Sequence, residues 1–242
     1  MATTRAESVD RRSAIRSTWG NGWHKRRDLP LWKTVFQLGQ SDNAQVRKNA
    51  EREAANFKDM IFGDFQDVFY NLPIKVVMGF EWATTFCDFE FLLKVDDDVA
   101  VHMPNIFQFL KKPNISKFKL YAGNVPVHKT VVREKCSKYY VNSKEYPQSN
   151  YSDFCSGGGF LLSRDVEVSM VDIHINSDYF KLDDVYIGML ALRLGINARH
   201  DNKFLKVIWG KSCPCHERNK EIIITHPANT ARCQQNMYNC NP

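Results

Sequence analysis

The segment Phe89-Glu-Phe-Leu-Leu-Lys-Val95 is followed directly by Asp96-Asp97-Asp98, and this junction decides the fold. The short apolar run has the length of a strand and is typical of one buried on both faces of a sheet. Three adjacent carboxylates at its end repel one another, so the cluster is costly unless a cation or hydrogen bonds offset it. Carboxylates prefer hard cations such as Mg²⁺ and Mn²⁺, and open α/β sheets bind ligands at the carboxyl ends of their strands. The junction therefore predicts a metal site at a strand tip, with a solvated acidic turn as the alternative.

The three carboxylates, called here the acidic triplet, are predicted to face two sides of the chain. Side chains alternate along a strand, which places Asp96 and Asp98 on one side and Asp97 on the other. We therefore expect a metal to be bound through Asp96 and Asp98 together, or through Asp98 alone.

Strand and helix patterns alternate on both sides of this junction. Further strands are predicted at Trp32–Leu38, Phe118–Gly123, Gly159–Ser163 and Ile222–Thr225. Helices are predicted from the capping residues 41–43 to Ala55, over Asn71–Phe86, from Pro104, from Arg164, and over Asp183–Leu194. The polar, tyrosine-rich stretch His128–Asn150 is predicted to be a long loop. The alternation predicts an α/β fold, with a mostly parallel central sheet flanked by helices, in a single domain over residues 1–242.

Composition excludes several classes of protein. The 242 residues are 43% hydrophobic and 25% charged, with a formal net charge of +6, which is typical of a globular chain. No apolar run approaches the roughly 18–20 residues of a membrane span, and the polar amino terminus lacks a secretory signal. The modest positive charge suits an anionic partner such as a nucleotide or a phosphate. The cluster Lys25-Arg26-Arg27 is typical of solvated loop charge, so we expect no nucleic-acid partner.

Seven cysteines and two N-glycosylation sequons together indicate an oxidising, secretory compartment. The sequons are Asn114-Ile-Ser116 and Asn150-Tyr-Ser152. The pair Cys213-Pro-Cys215, followed by His216, also allows a zinc site. Zinc sites usually separate paired cysteines by about two to four residues, and no second matching pair follows. We therefore expect disulfides, with at least one free or intermolecular thiol because the number of cysteines is odd.

Five separated segments carry motifs in a fixed order. They are RRSAIRSTWG at 11–20, Glu53 and Asp59 with DFQDVFYNL at 64–72 and Lys75, VDDDV at 95–99, YSDFCSGGGFLLS at 151–163, and DDVYIG at 183–188. Together they resemble the β-1,3-galactosyltransferase family, glycosyltransferase family 31, over nearly the whole chain. The departures are mild: Pro73 stands where the family usually has threonine, Phe154 and Phe160 replace tyrosines, and Asp183 replaces glutamate.

The resemblance implies a GT-A-type, Rossmann-like fold and an inverting, metal-dependent hexosyltransferase. Its expected reaction moves galactose from UDP-galactose in β-1,3 linkage to an acceptor glycan of a glycoprotein or glycolipid, with Mn²⁺ as the metal. N-Acetylglucosamine and N-acetylgalactosamine remain open as the transferred sugar. The resemblance also implies the catalytic domain of a type II membrane protein of the Golgi lumen, whose anchor and stem are absent from this chain.

Inversion requires one in-line displacement, with a base for the acceptor hydroxyl and positive charge on the departing diphosphate. The resemblance assigns the base to Asp184, and Asp183 suits the role of helix cap. Asp98, supported by Asp96, is expected to hold the metal, and His226 is expected to complete the metal shell.

The remaining candidate contacts to the donor are Asp97, Arg12, Arg16, Asp67, Lys75, Gly157, Gly158 and Gly159. Asp97 is expected to hydrogen-bond hydroxyls of the donor sugar or ribose. The three glycines allow the backbone to approach a sugar, or form a tight turn into a strand. The two arginines lie four apart and share a helix face, where they contact the nucleotide or form ion pairs with Asp64 or Asp67. Lys75 has the same two interpretations, and Trp209-Gly210 is a candidate for stacking on the acceptor.

Two other classes of protein compete with the transferase. The first is an inactive glycan-binding protein on the same fold, against which the retained Asp98 and Asp184 argue. The second is a nucleotidyltransferase with an acidic metal site, whose chemistry gives no use to the SGGG and DDVYIG segments.

Overall fold

A computed structural model describes residues 1–20, 22, 32–207, 221–228 and 230–239. The strands are β1 (Ala2–Thr3), β2 (Phe36–Gln40), β3 (Met60–Gln66), β4 (Phe91–Asp96), β5 (Ala100–Val101), β6 (Tyr121–Gly123), β7 (Gly159–Ser163), β8 (Arg199–His200), β9 (Lys206–Val207) and β10 (Ile224–His226). The α-helices are α1 (Val9–Ser17), α2 (Ala44–Phe57), α3 (Leu72–Phe86), α4 (Met103–Leu110), α5 (Arg164–His174), α6 (Asp183–Arg193) and α7 (Ala231–Asn239). Short 3₁₀ turns lie at Phe69–Asn71 and Asn202–Phe204.

The central sheet has the strand order β3-β2-β1-β4-β7-β6-β8. Its neighbouring strands are parallel except where β7 pairs antiparallel with β4 and with β6. A parallel 3-2-1-4 half is the arrangement of the Rossmann-like folds. The predicted α/β class with a mostly parallel central sheet is therefore confirmed. A small second sheet, β5-β10-β9, lies beyond the tip of β4.

The direction of β7 places Gly157-Gly158-Gly159, called here the glycine segment, beside the acidic triplet. Thr3 of β1 and Gly159 of β7 flank the end of β4, where they pair with Asp96 and Val95 respectively. Since β7 is antiparallel to β4, its first residue lies at the same edge of the sheet as the last residue of β4. Three segments that are far apart in the sequence thus meet at one edge.

The sheet is covered by apolar side chains on both faces. One cluster unites α3, α5 and α6 with Phe160 and Leu162 of β7, and the other unites α1 and α4 with Leu161. The alternation along β7 explains why its sequence is apolar at successive positions, since each side chain is buried on one face or the other. Trp19 is a buried member of the second cluster and Trp82 packs on the first.

Several element boundaries differ from the predicted ones. Four strands start later than predicted, at Phe36, Phe91, Tyr121 and Ile224, and α2 continues to Phe57. Neither β1 nor β3 was predicted, because β1 has only two residues and β3 lacks a continuous apolar run. The loop predicted over His128–Asn150 contains no helix or strand and is closed by a single bridge between Thr130 and Asn150.

Within the described residues, no helix has both the length and the apolar character that a membrane span requires.

Candidate active site

The strand β4 ends within the acidic triplet. β4 ends at Asp96, so Asp97 and Asp98 lie in the turn that follows, where the alternation of a strand no longer applies. Each carboxylate therefore meets a different partner. Both Asp96 and Asp98 act electrostatically on His226, and their joint binding of a metal stays a prediction.

Asp96 contacts a buried cation, although its own side chain is 39% exposed. Its Oδ1 accepts hydrogen bonds from the Thr3 hydroxyl at 2.5 Å and from the Lys94 ammonium at 2.8 Å. These contacts pair Oδ1 with a buried cation, and a role of Asp96 in metal binding stays a prediction.

Asp97 faces the opposite direction. Its two oxygens accept from the Thr4 hydroxyl at 2.7 Å and from Arg11 Nη1 at 2.6 Å. Gln234 of α7 donates to the Asp97 carbonyl at 2.6 Å, so α7 also holds this turn in place. The binding of donor hydroxyls by Asp97 stays a prediction, and the structure shows its oxygens used within the fold.

Asp98 lies next to His226, the last residue of β10. Asp98 Oδ2 and His226 Nε2 are 3.6 Å apart, and both side chains are partly exposed, at 27% and 36%. Burial acts to raise the pKa of Asp98, but the interaction with His226 outweighs it and holds that pKa below its usual value. The same interaction raises the pKa of His226. The sequence-predicted ligands Asp98 and His226 are therefore together, although 128 residues separate them in the chain, counted from their numbers.

Within the described residues, no group of three or more histidine, cysteine, aspartate or glutamate side chains is arranged to hold a metal ion. Asp98 and His226 supply an oxygen and an imidazole nitrogen, which is a donor set that suits Mn²⁺. Ions of this kind are commonly held by one or two protein side chains together with phosphates of the substrate. The residues present therefore fit a divalent metal through Asp98 and His226, and Asp96 as a third ligand stays a prediction.

Asp184 lies in the first turn of α6 and faces the glycine segment. Its Oδ2 accepts from the Gly157 amide at 3.2 Å, and its Oδ1 accepts from the Val185 amide at 2.8 Å. Burial, followed by repulsion from Asp183, raises its pKa to about 7. A carboxylate with a pKa near neutral is suited to exchange a proton at physiological pH.

Asp183 does not cap the helix as expected. Leu182 occupies the cap position of α6, and no side chain makes a capping hydrogen bond there. The Asp183 carboxylate instead accepts from Lys94 Nζ at 3.2 Å. A carboxylate is bonded more strongly by an ammonium than by a neutral amide, which explains the difference.

The residues of the glycine segment differ in how much space surrounds them. A Cβ on Gly157 would lie 3.6 Å from Asp184 Oδ2, which is ordinary contact, whereas a Cβ on Gly159 would come within 2.3 Å of Ile224 Cδ1. Gly159 therefore allows β7 to pack against the small second sheet. Approach of the backbone to a sugar stays a prediction for Gly157, Gly158 and Gly159.

The arginines of α1 are bound to acidic residues inside the protein. Arg12 is completely buried, and it donates to both oxygens of Glu53 at 2.9 and 2.7 Å. Arg16 donates to Glu53 at 2.6 Å and to both oxygens of Asp59 at 2.8 Å. The prediction that Arg12 and Arg16 form ion pairs with Asp64 or Asp67 is therefore wrong.

The position of α1 explains these partners. Asp59 immediately precedes β3, at the end where Arg16 reaches it, whereas Asp67 follows the other end of that strand. The donors of Arg12 are all engaged by protein groups, so its placement gives no support to the predicted contact with a nucleotide.

Lys75 and Asp67 form a second buried ion pair. Lys75 also donates to the Thr4 carbonyl at 2.9 Å, and Asp67 Oδ2 accepts from the Gly39 amide at 3.0 Å. The pair joins α3 to the ends of β1 and β2. Burial lowers the pKa of Lys75, although the charge of Asp67 opposes that effect. Both residues are thus placed as supports of the sheet edge, and their predicted contact with the donor is not supported by these bonds.

Lys94 is the residue of this site that sequence reasoning missed. It lies inside β4, its side chain is completely buried, and its ammonium touches Asp96, Asp183 and the Gly157 carbonyl. The available signal was a lysine within an otherwise apolar strand, two residues before the acidic triplet. Trp209, Gly210, Cys213, Cys215 and Cys240 lie outside the described residues, and Cys87, Cys136 and Cys155 have free thiols.

Comparison with known proteins identifies close sequence relatives. The profile of a family described as Galactosyltransferase matches residues 10–202. The human lactosylceramide 1,3-N-acetyl-beta-D-glucosaminyltransferase is 36% identical over 201 residues, which cover 80% of this chain and 53% of that protein. The mouse beta-1,3-galactosyltransferase 1 is 32% identical over 205 residues, which cover 84% of this chain and 62% of that protein. The chain thus spans a little more than half the length of these relatives.

Solved structures show more distant likeness. The galactosyltransferase LgtC in complex with donor and acceptor sugar analogs is 10% identical, with a TM-score of 0.43 over 94% of this chain and 86% of that chain. Mouse xyloside xylosyltransferase 1 is also 10% identical, with a TM-score of 0.41 over 95% and 96% of the two chains.

Proposed function

The chain belongs to the galactosyltransferase family, and on that premise we propose that it moves galactose from UDP-galactose in β-1,3 linkage to an acceptor glycan, with inversion and with a divalent metal. Membership implies a glycosyltransferase that takes a nucleotide-sugar donor and a glycan acceptor. The observation that carries the proposal is the position of Asp184. It is a carboxylate with a pKa near neutral, at the sheet edge where the acidic triplet and the glycine segment meet.

The proposed base is Asp184. In an inverting displacement the acceptor hydroxyl loses its proton as it attacks the anomeric carbon. The amides of Gly157 and Val185 hold the carboxylate at fixed orientation, so it accepts that proton without rearranging first.

The proposed metal ligands are Asp98 and His226. A bound Mn²⁺ supplies Lewis-acid stabilisation of the diphosphate as it leaves. The protein's own contribution is to keep the carboxylate and the imidazole beside each other at the exposed tip of β4. Two backbone hydrogen bonds help to hold them: Ala228 donates to the Asp98 carbonyl at 2.5 Å, and His102 donates to the Ile223 carbonyl at 2.9 Å.

We expect excess EDTA to abolish turnover of the UDP-sugar, because Asp98 and His226 are proposed to act through a metal. The variant Asp98→Asn is expected to bind Mn²⁺ at least about tenfold more weakly in a calorimetric titration. Asp64→Asn, which removes an exposed carboxylate of β3, is the matched control and is expected to bind as the wild type does. Full activity in excess EDTA would show that the metal assignment is wrong.

We also expect kcat/KM to depend on pH through the free enzyme's Asp184. The ionised carboxylate is the active form, and its pKa is raised to about 7, so activity is expected to fall tenfold for each pH unit below about 7. A profile of kcat/KM from pH 5 to 9 at saturating Mn²⁺ measures this fall in activity, called here the acid limb. A flat profile across pH 6 to 7 contradicts the assignment of the base.

A second candidate is transfer of N-acetylglucosamine. It is favoured by the relatives from human and Xenopus laevis, 36% and 35% identical, whose names give a 1,3-N-acetylglucosaminyl transfer. One preparation supplied with both UDP-galactose and UDP-N-acetylglucosamine separates the two candidates by which sugar appears in the product. UDP-N-acetylgalactosamine is tested in the same way.

The cellular setting follows from the same proposal. We propose that the chain is a single catalytic domain acting in the Golgi lumen on glycoproteins or glycolipids, joined to the membrane by an anchor outside this sequence. The sequons and the expected disulfides support a luminal setting. Mass spectrometry of the secreted protein, with and without reduction and deglycosylation, tests both modifications.

A further inference from the structure

Lys94 carries a charge in a place where an isolated charge would be costly. Its side chain has no exposed surface, and its ammonium has three acceptors, Asp96 Oδ1 at 2.8 Å, the Gly157 carbonyl at 2.8 Å and Asp183 Oδ2 at 3.2 Å. An ammonium has three N–H donors, so each is used. The two carboxylates raise the pKa of Lys94 against the effect of its burial, and the group therefore remains a cation.

The three acceptors belong to three different segments of the candidate site. Asp96 ends β4, Gly157 lies in the glycine segment before β7, and Asp183 starts α6. Lys94 is thus the point at which these segments are joined by side-chain hydrogen bonds.

Both segments that surround Asp184 are held in this way. Gly157 accepts from Lys94 through its carbonyl and donates to Asp184 through its amide at 3.2 Å. Asp183, the neighbour of Asp184 in the chain, accepts from Lys94 as well. A movement of the Lys94 ammonium would therefore displace the Asp184 carboxylate from two sides.

We propose that Lys94 is a positioning residue of the transfer reaction, which orients Asp184 through Gly157 and Asp183 and balances the negative charge around it. This inference rests on the proposed function, in which Asp184 is the base. Lys94 itself touches neither the donor nor the acceptor in this account.

The charges near Asp184 make the balance testable. Asp183 lies on the same helix, Lys94 and Asp96 lie on β4, and the acidic groups of Tyr121, Tyr151 and Cys155 are the further titratable neighbours. The single positive charge of Lys94 therefore offsets the negative charges of three carboxylates, Asp96, Asp183 and Asp184. Its removal favours protonation of Asp184, and the removal of Asp183 has the opposite effect.

The test compares Lys94→Met, which keeps the length of the side chain without its charge, with Lys117→Met, which removes an exposed lysine paired with Glu90. We expect Lys94→Met to bind UDP as the wild type does and to lose about 10²-fold in kcat, as misplaced groups do. We expect the acid limb of kcat/KM to move up by about one pH unit. Lys117→Met is expected to change neither.

A second substitution separates positioning from mere loss of stability. Asp183→Asn retains Lys94 and is expected to move the acid limb down, and Lys94→Met with Asp183→Asn is expected to bring the limb back toward the wild-type position. If Lys94→Met leaves kcat and the limb unchanged, or lowers only the thermal midpoint, the proposal is overturned. Should Lys94→Met not fold, Lys94→Gln decides in its place, because it keeps two N–H donors without the charge. An unchanged kcat and an unchanged acid limb in Lys94→Gln would overturn the proposal.

Failure of the proposed function would be seen separately. In that case the wild type itself would turn over no UDP-sugar. The carboxyl carbon of Asp184 can still be titrated by ¹³C NMR in the wild type, in Lys94→Met and in Asp183→Asn. Opposite shifts in the two variants support the role of Lys94, and identical titration curves overturn it.

Discussion

Replacement of Asp184 by asparagine is expected to lower the rate of hexose transfer about 10²–10⁴-fold, which is the usual contribution of a general base. Asparagine has the same shape and keeps an oxygen for the Gly157 and Val185 amides, so the turn and the helix start are expected to remain in place. What is lost is the ability to accept the proton of the acceptor hydroxyl. Single-turnover transfer, measured alongside UDP binding by calorimetry, separates the two properties.

The control for this variant is Asp165→Asn. Asp165 also lies in the first turn of a helix, α5, and accepts from the Lys119 amide at 2.9 Å. It follows β7 at the opposite edge of the sheet, so we expect its amide variant to transfer at nearly the wild-type rate. Wild-type turnover by Asp184→Asn would remove Asp184 from the mechanism.

Replacement of Glu53 by alanine is expected to lower the free energy of unfolding by about 3–5 kcal/mol, which is the usual cost of removing one member of a buried ion pair. Glu53 receives hydrogen bonds from both Arg12 and Arg16, and Arg12 has no exposed surface. The variant leaves the Arg12 cation buried without its anion. Urea unfolding followed by circular dichroism measures the change.

Glu51→Ala provides the matched control, because Glu51 lies on the same helix and is exposed. We expect that variant to stay within about 0.5 kcal/mol of the wild type. Equal stability of the two variants would contradict a structural role for the cluster of Arg12, Arg16 and Glu53, and it would reopen the question of a nucleotide contact.

The junction at Val95 predicted the fold because its signal is local. An apolar run before an acidic triplet requires a buried strand with its tip at a ligand-binding edge, and β4 ends there, at Asp96. The short strands were harder to predict. The two residues of β1 are strand only because β2 and β4 pair with them on either side, and such pairing is a property of the folded chain.

The sequence predicted several residues of the candidate site, but it did not predict the hydrogen bonds and ion pairs that join them. The sequence pointed to Asp98, His226 and Asp184, and the fold brings the first two together. The role of Lys94 depends on the antiparallel direction of β7, which places Gly157 within reach of its ammonium. The pairing of Arg12 with Glu53 likewise depends on how α1 packs, which helical spacing alone does not give.

The central claim is that this chain transfers a hexose from a UDP-sugar with inversion, and the anomeric configuration of the product tests it most directly. The protein would be incubated with Mn²⁺, a galactose-terminated oligosaccharide, and UDP-galactose or UDP-N-acetylglucosamine, and the product examined by NMR. We predict release of UDP together with a new β-1,3-linked sugar from one of the two donors. An α-linked product, or the failure of every UDP-hexose to bind or turn over, would contradict the account.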